Sequence, residues 1–129
     1  MRTKLAVLLV GLGLLCSAVP VVAHHSFAGE YDLNKPVTLK GVVTKIEWTN
    51  PHVRVYIDVP QANGTVTNWN LELGAVSALV RSGWTRRSLN VGDTVTVEGS
   101  HARSGASAAN ARAITLPDGR KVLSGTNDQ

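Results

Sequence analysis

The sequence predicts a small all-β protein, a five-stranded OB-like barrel with one short helix between strands 3 and 4. Apolar and polar residues alternate over residues 53–59, as they do in a strand with one buried face. The dipeptide Asn63-Gly64 follows, and Asn-Gly is a strong hairpin signal. A segment of helical period then separates three strand segments from two, which is the element order of an OB barrel. A small open β-sandwich is the alternative architecture.

The first strand is predicted over residues 37–48, and the phase of its apolar residues changes along its length. Val37 and Leu39 share one parity, whereas the later apolar residues share the other, namely Val42, Ile46 and Trp48. Gly41 lies at the change, where a glycine kink or bulge lets both ends of a strand face one core. We therefore expect an irregularity at Gly41.

The second and third strands are predicted on either side of the Asn63-Gly64 turn. Asn50-Pro51 separates them from the first strand, because proline donates no hydrogen bond to a strand ladder. The returning strand is expected over residues 65–73. One of its faces is apolar and the other polar, the apolar set being Trp69, Leu71 and Leu73 and the polar set Asn68, Asn70 and Glu72.

The chain changes to a helical period over residues 74–81, where a short helix is predicted with Gly83 as its terminator. A turn at residues 89–93 then leads into the fourth strand, residues 94–98. Helix and turn together supply the connection that an OB barrel has between its third and fourth strands.

The last part of the predicted domain combines a loop with a hairpin. Residues 99–110 are rich in Ser, Ala and Gly, a composition that predicts a mobile loop. The fifth strand is expected over residues 111–116. A tight turn at residues 117–119 then leads to residues 121–123, which extend the hairpin.

The first 23 residues have the three regions of a Sec-type signal peptide. Arg2 and Lys4 form the basic start, residues 5–15 are apolar, and small residues precede a cleavage site after Ala23. The mature protein is therefore expected in the periplasm or outside the cell, with no stable membrane anchor after cleavage. We divide the remainder into an N-terminal arm at 24–36, the barrel domain at 37–123 and a frayed tail at 124–129.

Cleavage changes what the composition implies about partners. The formal charge falls from +4 to +2, because the leader carries Arg2 and Lys4 and no acidic residue. The single cysteine, Cys16, is lost as well. Mild basicity in an exported protein does not indicate nucleic acid, and none is predicted as a partner. Arg81, together with Arg86 and Arg87, forms the one basic cluster, which is more typical of a solvated loop than of a polyanion site.

Cleavage after Ala23 would make His24 the first residue of the mature chain. A free α-amine and the imidazole of the same residue form a two-nitrogen chelate, and nitrogen-rich planar coordination suits Cu(II). His52, at a strand end, is the preferred third ligand, and His25 is a further candidate. The alternative interpretation is that the N-terminal histidines bind metal only non-specifically and that His52 hydrogen-bonds within its own turn.

The remaining candidate ligand-binding residues are indicated by their amino-acid type alone. Trp48 and Trp69 share the parity of core residues, so core packing is favoured for both. Trp84, Arg81 and Glu47 are the candidate ligand-binding residues. No nucleophile motif and no phosphate-binding glycine loop occurs in the mature chain, and nothing pairs Glu47 with Glu72 across a substrate. The protein is therefore not expected to be an enzyme.

Several motifs resemble those of an exported bacterial family, domain of unknown function 6152. The mature start His24-His25-Ser26-Phe27 and the segment Trp48-Thr49-Asn50-Pro51-His52 carry the resemblance. Further matching segments cover nearly the whole mature chain. The resemblance implies a periplasmic or secreted protein, but it implies no activity and no ligand.

Three functions remain open from the sequence. The first is a non-enzymatic periplasmic OB-like module that binds a small ligand or a protein partner. The alternative is a copper-binding protein that uses the amine and imidazole of His24 with His52. The third is a glycan or polyanion binder that uses Trp84 and the arginine cluster. Copper is the one cofactor that the residues indicate.

Overall fold

The computed structural model describes residues 27–123. The predicted leader, His24, His25 and the predicted tail from residue 124 lie outside the described residues. A helical turn occupies residues 27–30, and one further helix and six strands follow. The strands are β1 Tyr31–Glu47, β2 Arg54–Pro60, β3 Val66–Glu72, β4 Thr94–Ala102, β5 Ala108–Thr115 and β6 Lys121–Leu123, and helix α1 is Val76–Arg81.

The strands close into a small barrel. Strand β1 pairs with β2 along one part of its length and with β4 along another, and β2 pairs with β3. A parallel pairing of β3 with β5 joins the two halves, because β5 also pairs antiparallel with β4. Helix α1 lies in the chain between β3 and β4, so the predicted OB-like element order is confirmed. The short β6 pairs with the end of β5, as the predicted hairpin extension requires.

Strand β1 begins earlier than predicted. Tyr31 already pairs with Ala102 of β4, so residues 31–36, which we assigned to the N-terminal arm, belong to the sheet. The register shifts between Asp32 and Pro36, where β1 has extra residues relative to β4. This irregularity interrupts the alternation of apolar and polar residues, and for that reason the pattern did not predict the start of the strand.

The change of phase in β1 exists, but Gly41 is not its cause. The register between β1 and β2 shifts between Val43 and Lys45, and Val43 is fully buried while Val42 is exposed. Gly41 itself faces inward, and a Cβ there would overlap the carbonyl oxygen of Asp58 on β2. The glycine is therefore required for close approach of two strands, whereas the bulge follows two residues later.

The predicted loop over residues 99–110 is wrong. Strand β4 continues to Ala102 and β5 begins at Ala108, which leaves residues 103–107 as the connection. Small residues occupy this region because β5 lies between β3 and β4, with Ala109 and Ala111 fully buried. Composition alone does not distinguish such a tightly packed strand from a flexible loop.

Helix α1 ends in a Schellman motif that determines the position of Trp84. The backbone N–H of Gly83 donates to the carbonyl oxygen of Val80, and that of Trp84 donates to Leu79. Gly83 has φ +93°, the left-handed conformation that such a C-terminus needs. The chain reverses there and brings Trp84 next to Leu79 in the core.

The core is a single cluster of buried side chains from all five barrel strands and α1. Trp48 and Trp69 pack against it and are partly buried, as predicted. Within residues 27–123, no helix is long and apolar enough to span a membrane. The core residues are Leu39, Val43, Val53, Val55, Ile57, Val59, Leu71, Leu73, Leu79, Trp84, Leu89, Val95, Val97, Ala109, Ala111, Ile114 and Leu116.

We predict that Gly41→Ala destabilises the fold by ~1–3 kcal/mol, because the added methyl group overlaps backbone that cannot move independently. Urea unfolding measures the change. Gly29→Ala is the matched control, since a Cβ at Gly29 meets nothing within 4 Å and its free energy of unfolding should change by less than roughly 1 kcal/mol. Equal stability of Gly41→Ala and the parent would contradict the close approach.

Candidate functional site

The outward face of the β2–β3 hairpin is polar except at the turn end, where Pro60 pairs with the exposed Val66. Arg54 and Glu72 lie directly opposite each other in the β2–β3 pairing, so their side chains share this face. The residues that alternate with the outward ones along each strand face the core. In OB barrels this face, together with the β1–β2 and β4–β5 loops, is where ligands bind. We call it the polar face, formed by Arg54, Tyr56, Asp58, Asn68, Asn70 and Glu72.

Glu72 is the unusual member of the polar face because it is only 5% exposed. The hydroxyl of Tyr31 donates to its Oε2 at 2.8 Å, and a guanidinium nitrogen of Arg54 donates to the same oxygen at 3.2 Å. Arg54 also donates to the amide oxygen of Asn70 at 3.3 Å. These contacts compensate the burial of a charge, which otherwise costs several kcal/mol.

Tyr31 is itself almost fully buried. Burial raises the pKa of its hydroxyl above the usual range, and the hydrogen bond to Glu72 raises this pKa further. Tyr31 therefore remains a neutral donor at any ordinary pH. This hydrogen bond connects the start of β1 with the end of β3, whose two residues are 41 positions apart in the sequence.

His52 lies in the β1–β2 loop beside the same carboxylate. Its Nδ1 is 3.6 Å from Oε1 of Glu72, and its side chain is 45% exposed. The loop is tied to helix α1, because the backbone N–H of Val76 donates to the side-chain oxygen of Asn50 at 3.3 Å. We call Tyr31, His52, Arg54 and Glu72 the Glu72 cluster.

Glu47 lies next to the polar face rather than within the Glu72 cluster. Its carboxylate pairs with Lys45 at 2.7 Å and accepts a long hydrogen bond from Tyr56 at 3.5 Å. The hydrogen bond from Lys45 lowers the pKa of Glu47. The Lys45 ammonium also lies 5.1 Å from the centre of the Tyr56 ring, a cation–π contact.

Two further polar groups are buried close to the β4–β5 loop. Asn110 pairs in register with Glu72 across the parallel β3–β5 ladder and is 3% exposed, and its Oδ1 has no hydrogen-bond partner among the described residues. The Trp69 Nε1 is likewise without one, although its ring packs at 5.3 Å from that of His101. His101 Nε2 lies 2.9 Å from the carbonyl oxygen of Ala106 and is its donor.

The predicted ligand-binding residues do not come together. Trp84 is 5% exposed and lies in the core, so its ring offers no stacking surface to a glycan. Arg81 is exposed in the last turn of α1, and Arg86 and Arg87 are exposed in the turn after it. Only Glu47 lies beside the polar face.

Of the three predicted metal ligands, one lies within the described residues and two lie outside them. His52 is in the Glu72 cluster, whereas His24 and His25 lie outside the described residues. Residues 27–123 contain no group of three His, Cys, Asp or Glu side chains that could hold a metal ion.

Sequence reasoning missed Tyr31 and Arg54, and it noted Glu72 only as an unpaired acid. The alternation in β3 did signal that Glu72 faces outward. It did not signal that an outward carboxylate would be buried, because the covering residue, Tyr31, comes from a distant strand segment whose start was not predicted.

Tyr31→Phe is expected to reduce the free energy of unfolding by ~1.5–3 kcal/mol, since it removes a hydrogen bond to a buried charged group. Chemical denaturation near neutral pH measures this loss. Tyr56→Phe is the matched control: the bond that it removes is longer and the residue is half-buried, so we expect less than ~1 kcal/mol. Equal losses in the two variants would show that the Tyr31 hydroxyl does not stabilise Glu72.

Comparison with known proteins identifies a family. A family model described as a family of unknown function (DUF6152) matches residues 10–111, which is more than half of the chain. No curated protein and no solved structure gives a significant match. The chain therefore belongs to the DUF6152 family, as its sequence predicted.

Proposed function

We propose that this chain is an exported, non-enzymatic binding protein whose ligand site is the polar face around the Glu72 cluster. The single observation that supports the site is the buried carboxylate of Glu72, which is held by Tyr31 and Arg54 at the end of the face. Replacing a buried ion pair by apolar residues of similar volume is often neutral or stabilising, so stability alone does not account for this charge, and a role in binding does.

The charge of the polar face favours a small or neutral partner over a polyanion. Lys45 pairs with Glu47, and Arg54 pairs with Glu72, so the positive charges near the face are balanced. Nucleic-acid interfaces, in contrast, present an excess of positive charge. A small periplasmic ligand or a protein partner therefore fits the face better than a polyanion does.

Comparative capture tests the location of this site. Immobilised mature protein is incubated with periplasmic extract beside Tyr56→Ser, which changes the polar face, and Arg112→Ser, which changes an exposed residue of β5. We expect a partner or small ligand that the parent and Arg112→Ser retain and that Tyr56→Ser loses. Retention that is equal in all three proteins, or no retention, would contradict the proposal.

Cu(II) is a second candidate ligand, and the position of His52 favours it. Its Nδ1 faces Glu72, while the ring is nearly half exposed, so Nε2 is available to a metal ion. Histidines that bind metals commonly have a carboxylate at the other ring nitrogen. Imidazole is also a ligand type that suits copper.

The remaining copper ligands of this candidate are the amine and imidazole of His24, with His25 as a further donor. The described chain begins at the Glu72 cluster, because the ring of Phe27 lies 5.6 Å from that of Tyr31. Three residue steps separate His24 from Phe27, a distance of at most roughly 11 Å in an extended chain. A shared site for His24 and His52 is the arrangement that the following titration tests.

Copper titration of four matched proteins tests this candidate. The mature form with a free His24 amine is compared with a form extended by one glycine and with His52→Ala, and His101→Ala is the control. We expect the extension and His52→Ala each to weaken Cu(II) binding by at least roughly tenfold, about 1.4 kcal/mol. His101→Ala should not, because its ring already donates to Ala106. Equal affinity in all four proteins would exclude this site.

A further inference from the structure

We infer that Glu72 is a positioning residue for His52: its carboxylate keeps the proton of the neutral imidazole on Nδ1, so that Nε2 presents its lone pair outward as the ligating atom. For metal binding, this inference rests on the proposed copper function. The assignment of the proton concerns the metal-free protein and can be tested without copper.

The contacts of Glu72 leave one of its oxygens for His52. Tyr31 and Arg54 both donate to Oε2, at 2.8 and 3.2 Å. The other oxygen, Oε1, is the one nearest to Nδ1 of His52, at 3.6 Å. Because the carboxyl group is buried and held on one side, it cannot turn away from the imidazole.

A neutral imidazole carries one N–H and one lone pair, and the two nitrogens can exchange these roles. With the proton on Nε2, the lone pair of Nδ1 would face a negatively charged oxygen, and the two would repel each other. With the proton on Nδ1, the N–H dipole faces that charge instead. The distance of 3.6 Å exceeds that of a hydrogen bond, so the preference is electrostatic.

The consequence for a metal site is a fixed donor atom. A histidine whose second nitrogen faces a carboxylate binds metal in one orientation and with greater basicity, and loss of such a carboxylate typically weakens binding ~10–100-fold. Tyr31 and Arg54 hold the Glu72 carboxylate in place, and this carboxylate acts on His52 through its other oxygen, Oε1.

Long-range ¹H–¹⁵N NMR of the metal-free mature protein shows directly which ring nitrogen of His52 carries the proton. At a pH of about 8.5, above the ordinary pKa of histidine, we expect His52 to carry its proton on Nδ1. In Glu72→Gln we expect the signal to move toward the Nε2-protonated form. His101 is the internal standard, since its Nε2 donates to Ala106 and should stay protonated in every variant.

Tyr31→Phe separates positioning from stability. It removes a hydrogen bond of the buried cluster but keeps the carboxylate, so His52 should remain Nδ1-protonated in this variant. Should Glu72→Gln fail to fold, protonation of His52 on Nδ1 in the parent and in Tyr31→Phe would still support the inference. His52 protonated on Nε2 in the folded parent would overturn the inference without any variant.

Copper titration of the same proteins separates the two proposals. We expect Glu72→Gln to bind Cu(II) ~10–100-fold more weakly than the parent when His24 is free. Absence of copper binding in the parent would overturn the copper function, while the NMR result would still decide the role of Glu72. An unchanged affinity in a folded Glu72→Gln whose His52 proton has moved would contradict the positioning of the metal ligand.

Discussion

Burial of the Glu72 carboxylate is the constraint on which the rest of the polar face depends. A charge removed from water must be paired and hydrogen-bonded, or it destabilises the fold by several kcal/mol. Here Tyr31 and Arg54 supply both, from β1 and β2, to an acid at the end of β3. Three strands are therefore connected by one side chain, and its other oxygen, Oε1, lies 3.6 Å from Nδ1 of the neighbouring His52.

Closure of the barrel brings these residues together. Strand β5 fits between β3 and β4 because its inward residues are small, and the parallel β3–β5 ladder places Asn110 beside Glu72. The start of β1 lies along β4, which carries Tyr31 toward the end of β3. A sheet that remained open between β3 and β5 would leave the acid exposed and the tyrosine without its partner. The site is thus a product of the closed topology rather than of any local motif.

The charged groups at this end of the barrel are paired with one another. The carboxylate of Glu72 accepts hydrogen bonds from the guanidinium of Arg54 and the phenol of Tyr31. The nearby Glu47 is paired with Lys45. The surface at this point presents a partly exposed imidazole and, beside it, a polar strand face. These features are the basis of the binding function that we propose.

The sequence by itself determined the element order, the β2–β3 hairpin, the helix with its glycine terminator, and the outward direction of Glu72, because alternation and turn residues act over a few positions. Only the tertiary structure decided that residues 31–36 and 99–110 contain strand, that Trp84 is core, and that Tyr31, Arg54 and His52 surround one buried acid. These outcomes depend on bulges and on barrel closure, which set pairings between residues as far apart as Tyr31 and Ala102. Local patterns carry no information about such pairings, because the energy that selects them arises only when the strands meet.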